Sequence, residues 1–368
     1  MVRKGWKQVT LGDIALFQGG SQPPLSVFSS QKKAGYIRLV QIRDYKTDKY
    51  ATYIPEKLAK RFCKQDDIMI GRYGPPIFQI LRGIEGAYNV ALIKALPQGV
   101  DKEFLYHTLK REDLFEYIDL LSRRTSGQTG VDLTNLKAFE LSIPALTDEQ
   151  ATIAKALSDV DGLIYSLQKL IEKKKAIKQG TMQELLTSKK RLPGFYGEWR
   201  IVQIGETLSI GHGQSQKAVE NRFGKYPILA TGGCIGYAND FLWDKSSVLI
   251  GRKGTIDKPQ YADYPFWTID TLFYTKIFDG YDAKFIYYKF CMIDWQQYNE
   301  ASGVPSLNAT TIENLQIIVP EKDEQIAIAQ VLSDMDFEIE QLEKKLAKYQ
   351  QIKQGMMQEL LTGRIRLA

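Results

Sequence analysis

The chain has 368 residues, is 44% hydrophobic and 11% aromatic, and carries a formal net charge of +6. That length supports two or more cores, the apolar content excludes a disordered chain, and no run nears the roughly 18 apolar residues of a membrane span. Three scattered cysteines, Cys63, Cys234 and Cys291, argue against a disulfide or zinc framework. The N-terminus lacks the apolar segment of a signal peptide, so a cytoplasmic chain is expected, with a charge that permits a polyanionic partner.

Residues 1–145 open on a short alternating run, Trp6-Lys7-Gln8-Val9-Thr10-Leu11-Gly12-Asp13, and close on Leu141-Ser142-Ile143-Pro144. Between them, turn residues punctuate β-rich runs at Tyr36 to Ile42 and Asp67 to Ile70, and a helix is predicted from Lys102 to Leu121. The pattern reads as a mixed α/β domain. Residues 146–192 then read as one long helix from about Asp148 to Thr187, with Thr147 as N-cap and Gln150 at the capping-box position. At about 1.5 Å per residue, roughly 40 residues give a rod of about 60 Å.

The plan then repeats. Residues 193–320 open on Trp199-Arg200-Ile201-Val202-Gln203-Ile204-Gly205-Glu206 and close on Ile317-Ile318-Val319-Pro320. Predicted strands lie at Ser247 to Ile250 and Thr271 to Ile277, with a helix at Ala283 to Tyr298. Residues 321–368 return to the helix. The segment from Asp148 to Leu192 recurs without a gap from Asp323 to Leu367, and more than half of its positions are identical. Two copies of so long a segment mark a duplicated half, not a solenoid.

Both long helices carry an apolar seam with alternating steps of four and three. In the first it is Ile153, Leu157, Val160, Ile164, Leu167 and Ile171; in the second, Ile328, Leu332, Met335, Ile339, Leu342 and Leu346. This 3.5-residue period predicts that the helices pair as an antiparallel coiled coil. Gly180 and Gly355 share the string Ile-Lys-Gln-Gly, which implies either a kink or the close approach of another backbone. Lys173, Lys174, Lys175 and Lys178 read as a solvated helix face. The fold class is therefore mixed α+β: two α/β domains separated by two long helices, with a pseudo-twofold internal repeat.

Catalytic material is scarce. His107 and His212 are the only histidines, which leaves almost no raw material for a nucleophilic triad or a His-based metal site. Gly211-His212-Gly213-Gln214-Ser215-Gln216-Lys217 lacks the spacing of a phosphate loop, and Gly74-Pro75-Pro76-Ile77-Phe78 has glycine where an amino-group methyltransferase needs a hydrogen-bonding side chain. No catalytic residue and no metal site is assigned.

The loops suit DNA better. Ile70-Gly71-Arg72-Tyr73-Gly74 and Ile250-Gly251-Arg252-Lys253-Gly254 share one frame, in which an arginine can fork onto guanine or clamp a phosphate; the alternative is a hairpin with solvated cations. Arg123, Arg124, Ser126 and Gln128 form a second donor-rich loop, matched by Ser302 and Asn308, where the arginines are lost. Further candidates are Arg38, Gln41 and Arg43 in the first domain, and Gln214, Lys217, Thr231 and Gly232 in the second.

On these residues the whole chain resembles the specificity subunit of type I restriction-modification systems. The resemblance rests on the Trp opening, the Ile-Gly-Arg-x-Gly turn, the Asp-Glu-Gln entry to each helix shortly after a proline, Pro144 or Pro320, and the Met-Gln-Glu-Leu-Leu-Thr exit. It implies that residues 1–145 and 193–320 are target recognition domains, each reading half of a split duplex sequence. It also implies that the helices are spacers that dock two modification subunits, which carry S-adenosylmethionine and methylate adenine N6, beside restriction subunits that use ATP and magnesium. The alternative is a coiled-coil scaffold that binds only proteins and adds no sequence preference.

Overall fold

A computed structural model describes residues 4–124 and 130–367, apart from the side chains of Arg123 and Arg124. The chain forms two units, residues up to 167 with those from 345 onward, and residues 168–344. Each long helix thus contributes one half to each unit.

In chain order the first domain runs β1 (Trp6–Thr10), α1 (Leu11–Ile14), β2 (Ala15–Gly19), β3 (Tyr36–Val40), β4 (Tyr53–Pro55), β5 (Phe62–Cys63), β6 (Ile68–Gly71) and β7 (Gln79–Leu81). It continues through β8 (Gly86–Tyr88), β9 (Leu92–Pro97), α2 (Lys102–Leu109), α3 (Glu112–Arg124), α4 (Leu133–Ala138) and β10 (Glu140–Pro144), then enters α5 (Thr147–Leu185). The second runs β11 (Arg200–Gln203), β12 (Leu208–His212), β13 (Tyr226–Ala230), β14 (Gly233–Ala238), β15 (Ser247–Gly251), β16 (Gln260–Ala262), β17 (Trp267–Thr268) and β18 (Leu272–Ile277). It ends with α6 (Ala283–Met292), α7 (Ala309–Asn314), β19 (Gln316–Val319) and α8 (Lys322–Leu360).

The two domains share a topology. Four-stranded sheets ordered β2-β9-β6-β7 and β12-β18-β15-β16 correspond, and the alternating runs at the domain ends pair antiparallel as β1–β10 and β11–β19. Alternation puts Val9, Leu141 and Ile143 on the inner face of the first pair, against a core that includes Leu11, Phe104 and Ile153.

The predicted helix over 102–121 is two helices. Amides of Lys110 and Arg111 close on the carbonyls of His107 and Thr108, ending α2 in a tight turn. Its counterpart stops at Met292, because Trp295 folds back and donates from Nε1 to the Phe290 carbonyl at 2.8 Å.

The start of the first long helix departs from the expected capping box. Thr147 lies inside α5 as its first residue, and buried Gln150 uses its side chain elsewhere: Oε1 accepts from the Asp101 amide at 2.9 Å and Nε2 donates to the Pro144 carbonyl at 2.9 Å. Gln325 repeats both bonds, with the Asp282 amide at 3.0 Å and the Pro320 carbonyl at 2.9 Å. Glutamine thus ties helix start, strand end and the N-cap of the neighbouring helix together. The preceding glutamate does similar work. Glu149 accepts from Trp6 Nε1 and forms a two-pronged ion pair with Arg366; Glu324 accepts from Trp199 Nε1 and is held by Arg191 in the same way.

Within each unit the two helix segments run antiparallel. In the first, Glu149 faces Arg366 while Asp161 faces Lys353; in the second, Arg191 faces Glu324, Lys178 faces Asp336 and Lys174 faces Glu338. The Lys178–Asp336 and Lys353–Asp161 pairs are repeat-related, as are the two arginine–glutamate pairs. Lys174, Lys175, which pairs with Glu343 at 2.6 Å, and Lys178 are therefore ion-paired across the helices, not simply solvated as expected.

The seam is not uniform. Ile153 and Leu157 join the first domain's core with Leu360 and Leu361, and Ile328 and Leu332 join the second's with Leu185 and Leu186. Leu167, Ile171 and Ile339 are buried farther along, whereas Val160, Ile164, Met335, Leu342 and Leu346 are only partly buried. At Gly180 and Gly355 a Cβ would meet open space, so no backbone approaches there, and both helices continue through the glycine. At the exits, Lys289 donates to the Leu186 carbonyl at 2.9 Å and Arg111 to the matched Leu361 carbonyl at 3.5 Å, cations at helix C-termini. Burial lowers the Lys289 pKa to about 8.

No helix among the described residues is long and apolar enough to cross a membrane.

Candidate nucleic-acid interface

The Gly-Arg-x-Gly turns follow β6 and β15, central strands whose residues are fully buried. Glycine is needed in both: Gly74 and Gly254 lie at φ of +99° and +92°. The arginine backbone is pinned on both sides. The Arg72 amide donates to Ala91 at 2.8 Å while its carbonyl accepts from Val131 at 3.0 Å; the Arg252 amide donates to Thr271 at 2.8 Å and its carbonyl accepts from Leu307 at 2.9 Å. The next residue in each turn forms a lone β-bridge, Tyr73 with Gly130 and Lys253 with Ser306. The structure therefore joins the turn to the second candidate loop in both domains.

The side chains differ. Arg72 lies 5.4 Å over the Tyr73 ring, and its Nε is buried with no hydrogen bond among the described residues. Arg252 reaches the Asp270 carbonyl at 3.4 Å, and Lys253 is exposed beside it. Thr231 Oγ1 lies beside Gly254, and Gln260 holds that hairpin by donating to the Ala230 and Thr231 carbonyls at 3.0 and 3.3 Å. Thr231, exposed Gly232, Arg252 and Lys253 thus converge.

Gln214 is held by its backbone: its amide donates to Thr268 and its carbonyl accepts from Trp267 Nε1, leaving the side chain exposed. Lys217 is exposed on the short 3-10 turn Gln216–Ala218. Ser302 is exposed, whereas Asn308 caps α7 by accepting from the Thr310 amide at 3.0 Å.

In the first domain Gln41 and Arg43 both donate to Thr52 Oγ1, at 3.1 and 3.2 Å, and exposed Arg43 stands beside the end of β3. Arg38 is occupied by Asp48 at 2.7 Å and Asp44 at 3.6 Å. Burial raises the Asp44 pKa, against the pull of the Gln41 amide and the Arg38 charge. Ser126 and Gln128, with the side chains of Arg123 and Arg124, lie outside the described residues.

Other motifs are structural. His212 packs edge-on against Phe273, with ring centroids 5.0 Å apart, and Ile77 and Phe78 lie in the first domain's core. His107 is fully buried, its Nε2 3.0 Å from Ser158 Oγ, and burial lowers its pKa to about 4.

Two features escape sequence reading. A Cβ at Gly20 would overlap the Asn89 carbonyl and one at Gly213 the Ile269 carbonyl, so these glycines set matched loops against the sheet. Asn299 accepts from the Ala301 and Ser306 amides at 3.1 and 2.9 Å and folds the loop that carries Ser302. Glycine pairs at equal distance from each domain start were the available signal for the first.

Two α/β domains of one topology, whose differing loops sit on matched arginine turns, make up a DNA specificity protein built by duplication. The chain belongs to the type I restriction modification DNA specificity domain family, whose model matches residues 3–179 and 196–354. It is 23% identical to the type I restriction enzyme MjaVIII specificity subunit of Methanocaldococcus jannaschii, over 100% of this chain and 94% of that protein. The fold is that of the type I restriction-modification S subunit from M. genitalium, with a TM-score of 0.69 at 15% identity over 98% of this chain and 96% of that one. A chain from a structural study of complex assembly and conformational transition in a type I R-M system matches with a TM-score of 0.58 at 16% identity, over 99% of this chain and 100% of that one.

Proposed function

We propose that this specificity subunit reads a bipartite, asymmetric duplex target, one half-site per domain, and docks two adenine-N6 methyltransferase subunits together with restriction subunits. The carrying observation is the bridge between arginine turn and second loop, present in both domains with different side chains: Tyr73 to Gly130 and Lys253 to Ser306. One scaffold presenting two non-identical loop sets suits two unlike half-sites. Repeated helix surfaces, including exposed Ile177 and Ile352, suit two copies of one partner. The chain supplies recognition and no catalytic group; S-adenosylmethionine, ATP and magnesium belong to the partner subunits.

The test is a domain exchange. Replacing residues 193–320 with the equivalent domain of another specificity subunit, then mapping genomic methylation, should change one half of the modified sequence. A change in both halves, or in neither, overturns the reading.

A further inference from the structure

Among the recognition loops, the second domain holds out a phenyl ring that its fold does not bury. Phe223, between the 3-10 turn Gln216–Ala218 and β13, is 89% exposed. The loop beneath it is well tied. The Asn221 amide donates to the Tyr237 carbonyl at 2.9 Å, Asn221 Oδ1 accepts from the Phe223 amide at 2.9 Å, and the Asn221 carbonyl accepts from Gly224 at 2.8 Å. Glu220 bridges Ala238, and a Cβ at Gly224 would press to 2.5 Å from the Ala238 backbone. A fixed loop with a bare phenyl ring at its tip forgoes burial that a few more residues could supply.

The surroundings are mainly cationic. Arg222 lies 6.0 Å over the Phe223 ring, Lys225 lies 5.4 Å over the Tyr226 ring, and Lys217 is exposed in the same loop, with Glu220 the one acid among them. Pairing β3 with its counterpart β13 places Lys33 where the second domain has Phe223. A surface for a partner bound twice is repeated in this chain, as the helix strings are. The phenyl ring is not repeated, so it belongs with what differs between the halves.

We propose that Phe223 is a wedge that enters the duplex at the second half-site and unstacks a base step, with Arg222 and Lys225 on the flanking phosphates. This rests on the bipartite DNA reading above. The five residues of β13 separate this loop from Thr231 beside the arginine turn, about 17 Å at about 3.3 Å per residue. That is roughly five base pairs at about 3.4 Å each, so wedge and turn can address opposite ends of one half-site.

The experiment uses the full chain assembled with its modification subunits. The probes are duplexes carrying the methylated sequence, with 2-aminopurine at successive positions of the second half-site. The wild-type complex should brighten one outer position on binding. Phe223→Ala should abolish that signal and weaken cognate binding about 5- to 100-fold, with an unchanged salt slope and unchanged affinity for unrelated duplex; Phe223→Trp should restore both. Wild-type brightness and affinity in Phe223→Ala overturn the wedge, as does equal weakening on cognate and unrelated DNA. So does loss of the modification subunits from the complex, which would make the ring a protein contact. If the wild-type complex itself does not discriminate cognate from unrelated DNA, the bipartite reading falls and the wedge with it. If it discriminates and Phe223→Ala matches it, the wedge alone falls.

Discussion

His107 and Tyr288 stand at the same place in the two halves, each against a serine of its long helix. His107 meets Ser158, and Tyr288 meets Ser333 and donates to Asp336 at 2.7 Å. The histidine is the weaker choice in acid. Burial lowers its pKa from 6.5 to about 4, so between these values the unfolded chain binds the extra proton and stability is lost as pH falls. The loss amounts to at most about 3 kcal/mol. His107→Tyr should remove it, seen as a smaller drop in urea midpoint from pH 7 to pH 4.5 than in wild type; an equal drop would refute this account. At the interface, Arg252→Ala should cost about 1–3 kcal/mol on cognate DNA if its fork reads a base, whereas uniform weakening with a shallower salt slope in a titration series would mean a phosphate contact. The arginine turns were legible because glycine and arginine recur in one frame. That Arg38 is held by Asp44 and Asp48 was not legible, because those partners meet only when β3 and the turn after it fold.

Among the elements, the two long helices were the most readable, since period and repeat agree over the whole segment. The start of the first departs from its expected cap for a physical reason: Thr147 and Gln150 have the spacing of a capping box, but Gln150, like Gln325 in the second helix, serves tertiary bonds, which sequence spacing does not distinguish. One end also carries a defect. Gly363 closes α8 at φ +68°, packed on the Trp6 ring, whereas the matched residue after α5 is Ser188 at φ +57°. A left-handed serine is strained where glycine is not, by about 1 kcal/mol. Ser188→Gly should raise stability by about that amount in chemical denaturation, leaving methylation specificity unchanged. The split between α2 and α3 was invisible because both pieces have helical composition; the turn between them is closed by the Lys110 and Arg111 amides and lets Arg111 reach Leu361.

At the scale of the whole molecule, duplication explains what the sequence did and did not disclose. Shared strings mark the parts that must be the same twice, and the common plan of the two domains was legible in their similar openings and closings, whereas the strand order came from the structure. The loops diverge, so their contacts had to come from the structure. The Trp–Glu–Arg cluster shows how little the path of the chain matters to this plan. In the second unit Arg191 and Trp199 are close in sequence, while in the first Trp6 and Arg366 are 360 positions apart, yet each pair closes on its glutamate alike. Covalent continuity between Leu192 and Glu198 is therefore dispensable for the clamp. A protease cut at exposed Tyr196 should give two bands on a denaturing gel but one undiminished peak in gel filtration, the severed pieces held by the same residues that hold the intact chain.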